Sequence, residues 1–185
     1  MLDRIARNPG APSPHAPSLV HLRTEATRLF AKLDDSCLGG DYVMGHGDLK
    51  PSNVMLQAEG EGPLFIDFEL AGPNFRGYDV FKLFRARDRV PDESLKYFAE
   101  AYLGPGRAKS GSVDAVVAES LLFEPCTWLE AVIFFKFAAV ELPGQTDKWD
   151  ALAASRWDGY VRSVADFDRN LATLERMRRS AATAR

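Results

Sequence analysis

The sequence predicts a mainly α-helical α+β domain in which one small β-hairpin carries a metal site. Three observations predict it. Beyond Gly77 apolar residues recur at three- and four-residue steps almost to the end of the chain. Two short apolar runs, Val54-Met55-Leu56 and Leu64-Phe65-Ile66, flank a turn segment that holds Gly60 and Gly62, the pattern of a hairpin. Asn53 and Asp67 stand at the two ends of that hairpin, so pairing of its strands brings an amide and a carboxylate together.

Composition sets the outer bounds. A chain of 185 residues suits one domain or one lobe, and 46% hydrophobic residues are enough for a sizeable core. A formal net charge of −3 gives no electrostatic footprint for nucleic acid or an anionic membrane, so an anionic ligand has to be held locally. Cys37 and Cys126 have neither metal-ligand spacing nor the density of a disulfide scaffold, which makes a reducing, cytoplasmic compartment the expectation. Asp3, Arg4 and Arg7 interrupt the N-terminus before any secretory h-region develops. The most apolar stretch, Cys126 to Val140, carries Glu130 and Lys136 and reads as a core helix rather than a membrane span.

In chain order, residues 1–18 are expected to form a flexible leader, because Asn8 to Ser18 holds four prolines and one glycine. Leu19, Leu22, Ala26, Leu29, Phe30 and Leu33 predict a helix with one buried face, ended by Asp34, Asp35 and Gly39-Gly40. Tyr42-Val43-Met44 then leads into a loop, His46-Gly47-Asp48, where Pro51 keeps Lys50 extended. A catalytic loop at 46–56 and a metal-binding segment at 64–79 follow. Helices are expected over Val80 to Phe84, Leu95 to Tyr102, Val113 to Phe123, Thr127 to Glu141 and Lys148 to Arg178, with 179–185 a solvated basic tail.

The chemistry concentrates between His46 and Asp79. Phosphoryl transfer asks little covalent work of a protein, but it needs hard oxygen ligands for Mg²⁺ and a carboxylate that orients the attacking hydroxyl. Asp48, Asn53 five positions later, and an Asp67-Phe68 pair at the end of a hairpin strand supply those groups in the order of a kinase catalytic and metal-binding loop. Asp48 and Asn53 are also ordinary turn residues, and Asp67 is what favours the functional reading. Glu69 is open between a neighbour of the metal and an exposed residue. Trp128, Phe134, Phe135 and Phe137 are open between core packing and a cage for a quaternary ammonium. Glu119, Glu124 and Glu130 are expected on solvated helix faces.

The strings HGDLKPSNVML and FIDFELAGPNFRGYD resemble the signature of the choline/ethanolamine kinase and aminoglycoside phosphotransferase families, which share the protein-kinase-like fold. The likeness is greatest to choline/ethanolamine kinases, through Asp67-Phe68-Glu69 and Asn74-Phe75-Arg76-Gly77-Tyr78-Asp79, with an echo through Trp128 to Val140 and Arg156 to Tyr160. The resemblance implies the C-terminal lobe of such a fold over 19–178, with 80–178 a helical substrate subdomain, and ATP-dependent phosphotransfer to a small amino alcohol in phospholipid head-group synthesis. Asp48 is then the catalytic base and Lys50 a charge near the transferred group. Asn53 and Asp67 hold Mg²⁺, and with Ile66 they line the ATP site. Glu69, Phe134 and Phe137 contact the acceptor. His46 is expected to bond backbone rather than act as a base, Asp79 to accept backbone hydrogen bonds that hold the loop, and Arg76 to pair with a carboxylate or brace the loop.

Three departures bear on the acceptor. Phe134 and Phe137 stand where choline kinases place tryptophans, Ala86 and Arg87 where the family carries an acidic residue, and Leu70 where it has an aromatic. No Gly-rich loop or Val-Ala-Ile-Lys-like strand precedes His46. The chain therefore reads as a lobe without its small β-lobe, expected to bind Mg-ATP weakly by itself and to meet either that lobe or another copy. The alternatives are a non-catalytic kinase-like binding module and an aminoglycoside-type acceptor.

Overall fold

Each segment of helical period is helical in the computed structural model, which describes residues 1–7, 17–34, 42–58, 61–85, 92–106 and 110–183. Most of the Pro-rich leader, Cys37, Gly39-Gly40, Gly60, Ala86 and Arg87, and the last two residues lie outside the described residues. The chain divides into two compact units, 1–36 with 125–165 and 37–124 with 166–185.

The first unit is helical. Residues expected to open a flexible leader instead form α1 (Leu2–Arg7), whose Ile5 is buried. Leu2 and Ile5 lie one turn apart on the same side, and ion pairs from Arg4 to Glu141 and from Arg23 to Asp3 fasten the first turn of the helix. In α2 (Leu19–Asp34) the buried stripe is Leu22, Leu29 and Leu33; Phe30, predicted on that face, is 65% exposed. It follows Leu29 by 100° around the helix, which carries it off the stripe. The remaining helices are α6 (Glu124–Glu141), most of which lies in this unit, and α7 (Thr146–Val164). A half-buried polar knot joins α7 to α2: the Tyr160 hydroxyl donates to Glu25, which also pairs with Arg28. Burial pushes the Cys126 thiol up to about 12, so it stays protonated and inert. No described helix is long and apolar enough to cross a membrane.

The second unit carries all the strands described. β1 (Tyr42–Gly45) pairs antiparallel with β4 (Gly72–Phe75), Tyr42 facing Phe75 and Gly45 facing Gly72. β2 (Val54–Met55) and β3 (Leu64–Phe65) form the expected hairpin. The chain runs from β4 directly into α3 (Arg76–Phe84); α4 (Asp92–Leu103), α5 (Ser110–Leu122) and α8 (Phe167–Thr183) complete the unit, with α5 packed against the other three. Val80, Phe81, Leu95, Ala99, Val116 and Leu122 are buried there.

Two expectations are corrected by this layout. Lys148 to Arg178 is not one helix but two, broken at Ala165-Asp166. Asp166 pairs with Arg169 in the first turn of α8 and Phe167 is fully buried, so an acidic helix start and an apolar anchor end the periodic run without Gly or Pro. The basic tail from residue 179 is likewise helical as far as Thr183.

Candidate active site

The loop after β1 is held from beneath by one carboxylate. The N–H groups of His46 and Gly47 donate to Asp79 Oδ2 and Oδ1 at 2.6 and 3.0 Å, so the first turn of α3 fixes the backbone just before Asp48. A carboxylate whose two oxygens each accept a backbone amide hydrogen is held rigidly, which suits a foundation rather than a moving part. His46 also serves the backbone. Its Nε2–H donates to the Ile66 carbonyl at 2.8 Å while Nδ1 accepts from the Asp48 N–H at 3.3 Å, an arrangement that assigns the tautomer and leaves no nitrogen free for base chemistry. The Phe68 ring lies 4.7 Å from the His46 ring and continues the link to the segment after β3.

Gly47 is required by shape. Its φ is +78°, and a Cβ there would lie 2.2 Å from the Leu70 carbonyl oxygen. Backbone cannot yield as a side-chain tip can, so Gly47→Ala is expected to lower the unfolding free energy by about 2 kcal/mol or more. A urea midpoint equal to that of the unsubstituted protein would contradict this close approach.

The loop then delivers Asp48 into a ring of donors. Lys50 Nζ lies 2.6 Å from Asp48 Oδ2 and Lys82 Nζ 3.0 Å from Oδ1. Burial favours the neutral acid, but the hydrogen bonds and charges of Lys50 and Lys82 outweigh it and hold the carboxyl below its ordinary value. Asp48 is therefore an anion throughout the neutral range. Pro51 starts a 3₁₀ turn, Pro51–Asn53, that turns Asn53 inward until it is almost fully buried. Asn53 Nδ2 donates to the Asp48 carbonyl at 3.0 Å and lies 3.3 Å from Asp48 Oδ2 and 3.4 Å from Asp67 Oδ2.

Asp67 reaches the cluster from the far end of the hairpin. It has φ 69° and ψ 54°, the only described residue other than glycine with positive φ. Asp tolerates that region better than most residues, and a backbone outlier at such a place is where strain accompanies function. The carboxylate is exposed. Ile66 is tied by its N–H to the Asn53 carbonyl at 3.1 Å, and Glu69 lies exposed on the turn Phe68–Leu70. The structure thus brings Asp48, Lys50, Asn53 and Asp67 together, with Ile66 next in chain. Phe134 and Phe137 belong to α6 in the other unit.

The aromatic faces of that helix already carry cations. The Arg156 guanidinium lies 5.8 Å from the ring centres of both Trp128 and Phe135, and Arg4 lies 5.7 Å from that of Phe137. Of the four aromatics read as core or cage, Phe134 is the exposed one.

Two polar residues beside the loop lie where the sequence does not announce them. Glu119, expected on a solvated face, is fully buried; it accepts from Gly77 N–H at 3.2 Å and pairs with Arg76, which resolves Arg76 as a carboxylate partner. A Cβ on Gly77 would meet the Glu119 carbonyl at 2.5 Å, so a glycine is needed for the carboxylate to reach the start of α3. Lys82 is buried as well. Its signal was a lysine inside Val80-Phe81-Lys82-Leu83-Phe84, three residues after Asp79 and hence on the same helix face.

Among the described residues, no group of three or more His, Cys, Asp or Glu side chains gathers for a metal. Asn53 turns its Nδ2 toward the Asp67 carboxylate at 3.4 Å; with the amide rotated end for end, its Oδ1 and that carboxylate would supply two hard oxygens of the kind Mg²⁺ takes alongside phosphate oxygens and water.

The chain is similar to known proteins of one family. The phosphotransferase enzyme family matches residues 4–111, more than half of the chain. A probable ethanolamine kinase B of Dictyostelium discoideum is 37% identical over 68 residues, covering 36% of this chain and 15% of that protein. An uncharacterized protein of Deinococcus radiodurans is 34% identical over 99 residues, covering 52% and 29%. The solved Plasmodium vivax ethanolamine kinase superposes with a TM-score of 0.66 at 20% identity, covering 88% of this chain and 45% of that one. The chain spans less than half the length of each of these relatives.

Proposed function

The chain belongs to the phosphotransferase enzyme family, and from that premise we propose that it carries the acceptor-activating and metal-holding part of an ATP-dependent small-molecule kinase. Its acceptor is the hydroxyl of an amino alcohol, ethanolamine ahead of choline. The observation that carries the reading is the convergence of Asp48, Asn53 and Asp67, with the Asn53 amide bridging the two carboxylates.

Asp48 accepts the hydroxyl proton as the hydroxyl oxygen bonds to the γ-phosphorus and the bond to the ADP oxygen breaks. Its ionised state and its fixed backbone suit that role. Lys50 is 42% exposed and free to leave Asp48 for the transferred phosphoryl group. Asn53 and Asp67 hold Mg²⁺, which when bound neutralises charge on the nucleotide phosphates. Ile66, Leu56, Phe65 and Phe68 are exposed beside Asp67, and this apolar surface supports a nucleotide base and a second, phosphate-clamping lobe lying over it, in this polypeptide or another copy. Ethanolamine is placed ahead of choline because arginines already cover the faces of Trp128, Phe135 and Phe137, which a quaternary ammonium would need, whereas Glu69 is exposed and offers a carboxylate to a primary ammonium group.

The test is ADP release from Mg-ATP with ethanolamine, with choline, with an aminoglycoside and with no acceptor, at nucleotide concentrations high enough for weak binding. Ethanolamine-dependent release supports the reading. No ADP release with any of the acceptors supports the non-catalytic module instead. Asp67→Asn is expected to keep the thermal midpoint within about 2 °C, its carboxylate being exposed, while abolishing the Mg²⁺-dependent part of turnover. Unaltered Mg²⁺ dependence would remove Asp67 from the metal site.

A further inference from the structure

We infer that Lys82 is a positioning residue for phosphotransfer, dividing the labour of the Asp48 carboxylate so that Oδ1 is permanently anchored and Oδ2 meets the acceptor. The inference rests on the reading of Asp48 as the acceptor's base. Lys82 Nζ lies 3.0 Å from Asp48 Oδ1 and donates to the Gly47 carbonyl at 3.1 Å, with the Tyr78 hydroxyl 3.5 Å away and the Tyr78 ring centre 5.4 Å away. Its side chain is 2% exposed. Oδ2 faces Lys50, whose side chain is 42% exposed, and the Asn53 amide.

The contrast between the two lysines carries the argument. An ammonium removed from water this completely is a poor way to stabilise a helix that packs Val80 and Phe81 into the core, since an apolar side chain of similar volume does so without desolvating a charge. What an apolar residue cannot do is hold one carboxylate oxygen and the preceding carbonyl at once. Lys82 projects from the same face of α3 as Asp79, which grips the His46 and Gly47 amides. One helix thus fixes the loop backbone through Asp79 and the direction of the reacting carboxylate through Lys82. Lys50, exposed and flexible, is the partner that can depart when a hydroxyl arrives at Oδ2.

Lys82→Met, Lys82→Gln and Asp48→Asn separate the possibilities, each assayed for ethanolamine phosphorylation with Mg-ATP in excess. Lys82→Met is expected to lower kcat about tenfold or more with KM for ethanolamine changed less than about twofold. Lys82→Gln, which keeps a donor without the charge, is expected to recover part of that loss, and it replaces Lys82→Met as the variant to read if the methionine protein does not fold. Equal kcat in folded Lys82→Met and unsubstituted protein, or a loss carried by KM, overturns the inference while leaving Asp48 as base. Undiminished turnover in Asp48→Asn, or no acceptor-dependent turnover in the unsubstituted protein, overturns the reading beneath it.

Discussion

Asp48→Asn is expected to lower acceptor-dependent ADP release by about a hundredfold to ten-thousandfold, the range a positioned general base supplies, while leaving the fold intact. The amide keeps the shape of the carboxylate and one oxygen for Lys82, so the loop retains its backbone anchors from Asp79. It loses the ability to take up a proton at neutral pH. Initial rates at saturating ethanolamine, paired with a thermal melt, measure both halves of the expectation. A variant of unchanged stability that turns over normally would show that Asp48 is not the base. The same rate loss accompanied by unfolding would assign the residue to the architecture of the loop.

Glu119→Ala is expected to cost about 3 kcal/mol of folding stability, the largest loss anticipated for any single side chain outside the apolar core. The carboxylate is fully buried, and its removal strands the Arg76 guanidinium and the Gly77 N–H together. Arg76 Nε is already buried without a hydrogen-bond partner among the described residues, so the guanidinium has little remaining compensation. Arg76 is also stacked over the Tyr102 ring at 5.9 Å, which keeps it from swinging freely into water. Urea unfolding of Glu119→Ala, Arg76→Met and the double Glu119→Leu/Arg76→Met variant forms the check. The double variant should recover most of the loss, because two apolar side chains leave no buried charge unpaired. If Glu119→Ala unfolds at the same urea concentration as the unsubstituted protein, the pair contributes nothing. If the double variant is the least stable of the three, the apolar replacement does not fit.

Glu119 also bears on the loop at a distance. It holds the first residues of α3, and α3 carries both Asp79 and Lys82 to the loop. A loss of turnover in Glu119→Ala beyond the fraction unfolded would be transmitted through that helix.

The loop from His46 to Asn53 was the most legible part of this chain. It is a short loop ending in the 3₁₀ turn Pro51–Asn53, and Pro51 and Gly47 leave its backbone few alternatives. The hairpin that returns Asp67 to Asn53 is equally local, so spacing alone implied a contact that the structure places at 3.4 Å. Asp79, read as a holder of backbone amides, does hold them. Less was legible where the partner lies far along the chain. Nothing in Gly72–Phe75 announces a strand, because Gly, Pro and Asn are poor strand formers, and it is the pairing with Tyr42–Gly45 that makes it one. The break between α7 and α8 escaped notice for a related reason: Ala165-Asp166 has no breaker residue, and the apolar period runs straight through it.

By itself the order of residues decided the helical periods, the hairpin and the set of polar side chains around Asp48, since each depends on sterics and hydrogen bonds within about a dozen positions. Tertiary structure alone decided which charges would be taken out of water. Lys82 and Glu119 look like surface residues in the string of letters, yet one is bound to a carboxylate 34 residues earlier and the other to an arginine 43 residues earlier. Burial of a charge depends on every element packed around it, and no local pattern carries that information.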